Sequence, residues 1–221
     1  MKTMQRLLWI IIAFILYSAP SLYAQTNRDN SHILSVHAGP SWYLDNPIGL
    51  TDYDSQYLDG LKKGVSWNAE YTYLFLHTIF TPGIGILYQG SRHSNSLPNS
   101  SDKLISHYIA PQFSLYYRPQ KFNINFVMGL GGIFYKDKST VYGKPRDAKL
   151  SRCAFNFGLG GEYLFAKHWG ASARLDFIGA FTKTYTVKYH DKEWEIVPNF
   201  PFSFGDSLTL LSLSAGINYH F

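Results

Sequence analysis

From Leu211 to Phe221 the chain alternates without a break. Leu211, Leu213, Ala215, Ile217, Tyr219 and Phe221 hold one parity, and Ser212, Ser214, Gly216, Asn218 and His220 the other. Side chains on a strand point to opposite faces in turn, so this ending predicts a β-strand with one apolar and one small, polar face. Seven earlier segments repeat the pattern. They run from about Ile33–Leu44 (Leu34, Val36, Ala38, Pro40 and Trp42 on the apolar parity), Lys63–Phe75, Ile79–Ser91, Lys103–Tyr117, Phe122–Lys136, Lys149–Phe165 and Trp169–Tyr185. The opposed parity is chiefly Gly, Ser, Asn and Thr, as in Gly64, Ser66, Asn68, Glu70 and Thr72 of the second segment.

The connections alternate in length. Leu76–Thr78, Arg118–Lys121 and Ala166–His168 are tight, whereas residues 45–62, 92–102, 137–148 and 186–206 read as longer loops. Short turns at one end and long loops at the other are the plan of transmembrane barrels in bacterial outer membranes. The apolar parity adds a second regularity. Tyr73, Phe75, Phe80, Tyr117, Phe122, Tyr163, Phe165, Trp169, Tyr219 and Phe221 gather near the tight turns. Trp42, Trp67, Tyr88, Phe134, Phe155 and Phe181 gather near the long loops, with mainly Ile, Leu, Val, Met and Ala between. Two aromatic girdles around an aliphatic band match two lipid–water interfaces. A soluble eight-stranded barrel would instead turn Lys and Glu outward and apolar residues toward a cavity. The predicted fold is all-β: an eight-stranded antiparallel transmembrane β-barrel with short periplasmic turns and longer extracellular loops.

The N-terminus sharpens this picture. Lys2 and Arg6 precede an uncharged apolar run, Leu7–Tyr17, then Pro20 and Ser21-Leu22-Tyr23-Ala24 before Gln25. This is the anatomy of a cleaved secretory signal peptide over residues 1–24, with a barrel domain over 25–221. The apolar run is shorter than the roughly 20 residues a membrane helix needs. Cleavage removes Lys2 and Arg6 and lowers the formal charge from +5 to +3, a balance that favours no acidic partner and, with no basic motif, no nucleic acid. Aromatics reach 17% while charged residues fall to 16%, against about 25% in soluble domains. The single cysteine, Cys153, precludes an intramolecular disulfide.

On its strand plan, girdles and terminal Phe221, the chain resembles the small eight-stranded outer-membrane barrels, the OmpX and OmpA transmembrane-domain families. The resemblance spans about residues 33–221. It implies a porin-like barrel in the outer membrane of a Gram-negative cell, surrounded by lipid bilayer and lipopolysaccharide. It also implies insertion by the outer-membrane assembly machinery through the C-terminal strand ending at Phe221, and no enzymatic site.

The polar parity places Glu70, Glu162, Arg174 and Asp176 in the lumen, beside Asn68, Gln112, Asn123, Asn125 and Asn156. Eight strands leave an interior just wide enough for side chains. An unpaired buried charge costs several kcal/mol, so Arg174 is expected to pair with Glu162 or Glu70 and plug the lumen. One stretch invites catalysis: Ser91-Arg92-His93-Ser94-Asn95-Ser96. Lipid A deacylases of the eight-stranded class set a His near Ser-Asn, but two residues apart on one face, whereas His93 and Ser94 are adjacent and point opposite ways. No residue is assigned as catalytic, cofactor-binding or metal-ligating, and the remaining histidines lack ligand spacing. Asp45, Asp52, Asp54 and Asp59 make the first loop acidic, and Lys138, Lys144, Arg146 and Lys149 make the third basic. Such loops suit an external partner, divalent-bridged lipopolysaccharide or each other. Trp194, Phe200, Phe202 and Phe204 make the fourth loop apolar enough to cover the mouth or form a contact patch. The leading expectation is a non-enzymatic barrel acting through its loops; the alternatives are a lipid-modifying enzyme, then a narrow channel.

Overall fold

The computed structural model describes residues 30–46, 55–75, 78–119, 121–141, 143–181, 185–189, 192–196 and 207–221. The signal-peptide assignment over residues 1–24 lies outside them. The elements in order are β1 (His32–Tyr43), α1 (Ser55–Lys62), β2 (Lys63–Leu74), β3 (Phe80–Leu97), β4 (Ser100–Tyr117), β5 (Phe122–Val141), β6 (Lys144–Leu164), β7 (Trp169–Phe181), β8 (Tyr185–Tyr189), β9 (Lys192–Ile196) and β10 (Ser207–His220). Strands β1 to β7 pair antiparallel in sequence order, and β10 joins β7 to β1, closing an eight-stranded ring. One rung runs from Gly161 through Ala173, Ala215, Ala38, Trp67, Gly90, His107 and Phe134 to Ser151. It returns to β6 ten residues from where it started, which is the stagger that lets tilted strands close.

The alternation sorts faces as the sequence predicts. Leu34, Val36, Val65, Ile84, Ile86, Phe113, Phe126, Leu159, Leu175, Leu213 and Ile217 are all exposed on the outside. Hydrophobic residues remain outward over a whole band only where the surrounding solvent is apolar. On β5 the girdle residues Phe122 and Phe134 are twelve residues apart, roughly 25–30 Å along the axis at a tilt of about 40°.

Two regions expected as loops are strands. β3 and β4 have 18 residues each, β5 has 20 and β6 has 21, against 12 in β1 and β2. Residues 92–97 and 100–102 therefore continue the β3–β4 hairpin, and 137–141 and 144–148 the β5–β6 hairpin. The latter turns at Gly143, whose φ of 74° lies in the left-handed region that glycine enters without penalty. Past the girdle both faces meet polar surroundings, so pairing persists without the alternation that reveals a strand. β8 and β9 extend this rim as a hairpin on the edge of β6. Trp194 stands exposed there, whereas Phe200, Phe202 and Phe204 lie outside the described residues.

The lumen also departs from expectation. Its periplasmic half is chiefly polar, whereas the extracellular half mixes buried Ser91, His93 and Ser106 with a large apolar cluster. The cluster includes Leu87, Leu104, Tyr108, Ile133, Tyr135, Leu150, Ile178, Leu208 and Leu210. The first loop contributes α1, whose Tyr57, Leu58 and Leu61 are buried in the same cluster. These inward residues follow outward apolar ones, as in Ile133-Phe134-Tyr135 and Leu210-Leu211, so period two is masked where both faces are dry.

Candidate functional site: lumen and extracellular mouth

The polar half of the lumen is a tied network. Arg174 on β7 reaches across to an ion pair with Glu70 of β2, and its Nε donates to Asp176 Oδ1 at 2.6 Å. Thr72 Oγ1 donates to the other Glu70 oxygen at 2.8 Å. Of the two partners expected for Arg174, Glu70 is the one it meets. Glu162 instead lies 2.6 Å from His220 Nε2 and accepts from Asn123 Nδ2 at 2.6 Å. Arg174, Glu70, Asp176, Glu162 and His220 are all at most 4% exposed. Glycines on the inward parity make room: a Cβ at Gly158 would lie 2.6 Å from Asp176 Oδ1, and one at Gly170 would collide with Glu162.

Beside the charges, His37 Nδ1 is 2.9 Å from Asn68 Oδ1, and its Nε2 is 2.8 Å from Ser172 Oγ. This Ser–His–Asn arrangement has the connectivity of a hydrolytic triad. The adjoining cavity, lined by His37, Glu70, Glu162 and Arg174, measures ≈ 10 Å³. That holds about one water and no acyl or peptidyl substrate. Below it Ile33, Leu74 and Tyr116 form an apolar floor, and above it the apolar roof continues to α1. Among the described residues this part of the lumen is packed by side chains.

At the mouth the structure sorts the expected site residues. His93 points inward at 1% exposure, while Ser94 is exposed on the outer face. Its actual serine neighbour is Ser41, whose Oγ is 3.1 Å from Nε2; Nδ1 donates to the Lys62 carbonyl at 2.9 Å. A carbonyl occupies the place of the orienting acid, and Ser41 is wholly buried beneath α1, so the pair anchors the helix. Beyond the outer girdle, burial holds the His93 imidazole down to about 4.

A second cluster went unseen in the sequence. Tyr57 of α1 donates to Asp102 Oδ2 at 2.5 Å, and Arg146 Nη2 lies 2.5 Å from Asp137 Oδ2 and 3.7 Å from Asp102 Oδ1. The expected attraction between the acidic first and basic third loops is thus replaced, for Arg146, by pairing within the β4–β6 rim. Asp59 stays exposed, and Asp52 and Asp54 lie outside the described residues. Asp137 is fully buried, which pushes its carboxyl up to about 6 against the pull of Arg146. Inward parity on polar strand extensions is the signal that marks Asp102 and Asp137, but it is legible only once the extensions are known.

Solved structures match this geometry across the chain. The attachment invasion locus protein Ail of Yersinia pestis superposes with a TM-score of 0.53 at 13% identity, covering 87% of this chain and 99% of its own. A major outer membrane protein of Thermus thermophilus gives 0.58 at 13%, covering 86% and 99%. The fold is that of the small outer-membrane barrels. Neisserial surface protein A gives 0.52 at 12%, covering 86% and 97%. No family model matches the sequence, and no curated protein does.

Proposed function

We propose that this is an integral outer-membrane protein, non-enzymatic and closed to solutes, that acts through its extracellular surface. The observation that carries the reading is the combination of a lumen packed from floor to roof with a rim of long strands beyond the outer girdle. Conformational order at the rim supports a presented surface, because β3–β6, β8 and β9 form one continuous sheet there. Export by the leader over residues 1–24 and insertion through the strand ending at Phe221 belong to the same reading. The separation of His93, which faces inward, from the outward Ser94 counts against the lipid A deacylase alternative.

The test is the heat-modifiability of the mature protein in detergent, with lipid A present and its products read by mass spectrometry. A mobility shift on boiling with all acyl chains intact is the expected result. Release of an acyl chain, abolished by Ser94→Ala, would overturn the reading in favour of the enzyme.

A further inference from the structure

The outer face of the barrel carries a cluster of six cations above the extracellular girdle. Lys63 on β2 is four residues beyond Trp67, Arg92 on β3 four beyond Tyr88, and Lys103 on β4 four beyond His107. Lys136 and Lys138 on β5 are two and four residues beyond Phe134, and Lys149 on β6 is six beyond Phe155. All six sit on the outward parity; Lys63, Arg92, Lys138 and Lys149 are exposed, and Lys103 and Lys136 half-buried. With strands about 4.8 Å apart, the patch is about 19 Å wide over β2–β6.

The register makes the arrangement costly. Lys103 faces Lys138 directly across the β4–β5 ladder, and Lys136 faces Lys149 across β5–β6. Like charges directly opposed on a sheet repel. Among the described residues none of these four lysines has an ion-pair partner. Lys138 also faces Asp147 across β5–β6, at a separation too great for an ion pair, and Glu193 and Glu195 close the same rungs on β9. Among the described residues, Thr209 on β10 and Leu44 after β1 are the outward residues two beyond the girdle on the opposite side, and residues 47–54, 182–184 and 197–206 lie outside them. A solvated surface does not require like charges set opposite one another at the depth where lipid headgroups begin.

We infer that the outward face of β2–β6 above the girdle binds the phosphate groups of the glycolipid that fills the outer leaflet. The inference rests on the outer-membrane reading. Amine and guanidinium groups supply charge-assisted hydrogen bonds to phosphate oxygens, and the exposed apolar band directly below seats the acyl chains of the same molecule. The paired lysines then share an anion, so their repulsion becomes part of the recognition.

The test is binding of diphosphorylated lipid A and of its dephosphorylated counterpart to the mature protein in uncharged detergent with a chelator present. Binding is read by native mass spectrometry across a salt series. The parent is expected to prefer the phosphorylated lipid and to lose that preference as salt rises. Lys136→Gln/Lys138→Gln should weaken phosphorylated lipid binding about 30-fold, from roughly fivefold per lysine near a charged surface. Lys103→Gln/Lys149→Gln, which breaks the same two opposed pairs from the other side, should do the same if the first variant loses its heat-modifiable band. Lys121→Gln/Lys167→Gln, at the periplasmic turns, should change binding less than twofold. Equal affinity for the two lipids, unchanged binding by a folded variant, or equal binding of a lipid-free phosphorylated oligosaccharide would overturn the inference while the barrel still inserts. Failure of the parent to insert into bilayers would overturn the outer-membrane reading with it.

Discussion

Arg174→Leu removes the one cation between two buried carboxylates. Glu70 is 2% and Asp176 1% exposed, and both lean on the same guanidinium. Leucine replaces part of the volume but leaves two like charges in a sealed layer. Breaking a buried pair by deleting one partner costs about 3–5 kcal/mol, and two stranded carboxylates put this site at the upper end. With a urea slope of about 2 kcal/mol per molar, the unfolding midpoint should fall by roughly 1.5–2.5 M. The assay is urea unfolding in lipid vesicles, followed by tryptophan emission and by the boiling-dependent gel shift. Arg174→Leu/Glu70→Gln/Asp176→Asn should recover most of the loss, because the cost comes from stranded charge and much less from the absent contact. A single-variant midpoint within about 0.3 M of the parent, or a triple variant no better than the single, would refute the pairing as the source of lumen stability.

Three further outcomes follow from the mouth. His93 and Asp137 titrate in opposing senses. The His93 value of about 4 lies below the ordinary 6.5, so the unfolded chain takes the proton first and stability is lost as pH falls from 6.5 toward 4. The Asp137 value of about 6 lies above the ordinary 3.8, so the folded chain takes the proton first and stability is lost as pH rises toward 6. Each is worth roughly 3 kcal/mol, so they offset each other. Asp137→Asn should make stability rise with pH over this window and His93→Gln should make it fall; parallel curves in urea titrations would exclude both assignments. Tyr57→Phe removes the donor to Asp102 and should cost about 1.5–3 kcal/mol, seen as faster amide exchange across α1. Gly143→Ala meets no atom within 4 Å, so its cost of about 1–2 kcal/mol is purely conformational and should appear as fraying of the β5–β6 tip in hydrogen exchange, with little change at the girdles.

What the sequence reveals follows the solvent. Between the girdles lipid lies outside and polar side chains lie inside, so Trp67, Ala69, Tyr71 and Tyr73 separate cleanly from Asn68, Glu70 and Thr72, and strand, face and pairing partner are all legible. Near the outer girdle both faces are apolar, and Ile133 or Leu210 cannot be told from their lipid-facing neighbours. Above it both faces are polar, and the strands carrying Asp102, Asp137 and Arg146 read as loops. α1 is too short for periodicity to stand out, although Tyr57, Leu58 and Leu61 do follow helical spacing. The partner of Arg174 was half legible: parity put Glu70 and Glu162 in the lumen, but only the ten-residue stagger of the closed ring decides which one comes within reach.

A closed lumen is tested most directly by planar-bilayer conductance of the purified mature protein, after its gel shift has shown that it is folded. In the proposed reading the cluster of Ile33, Leu74 and Tyr116, the tied charge layer and the apolar packing under α1 close the lumen to ions. The expected trace is indistinguishable from the bare bilayer. Reproducible current steps that scale with the amount of folded protein would contradict it, and would make the barrel a channel.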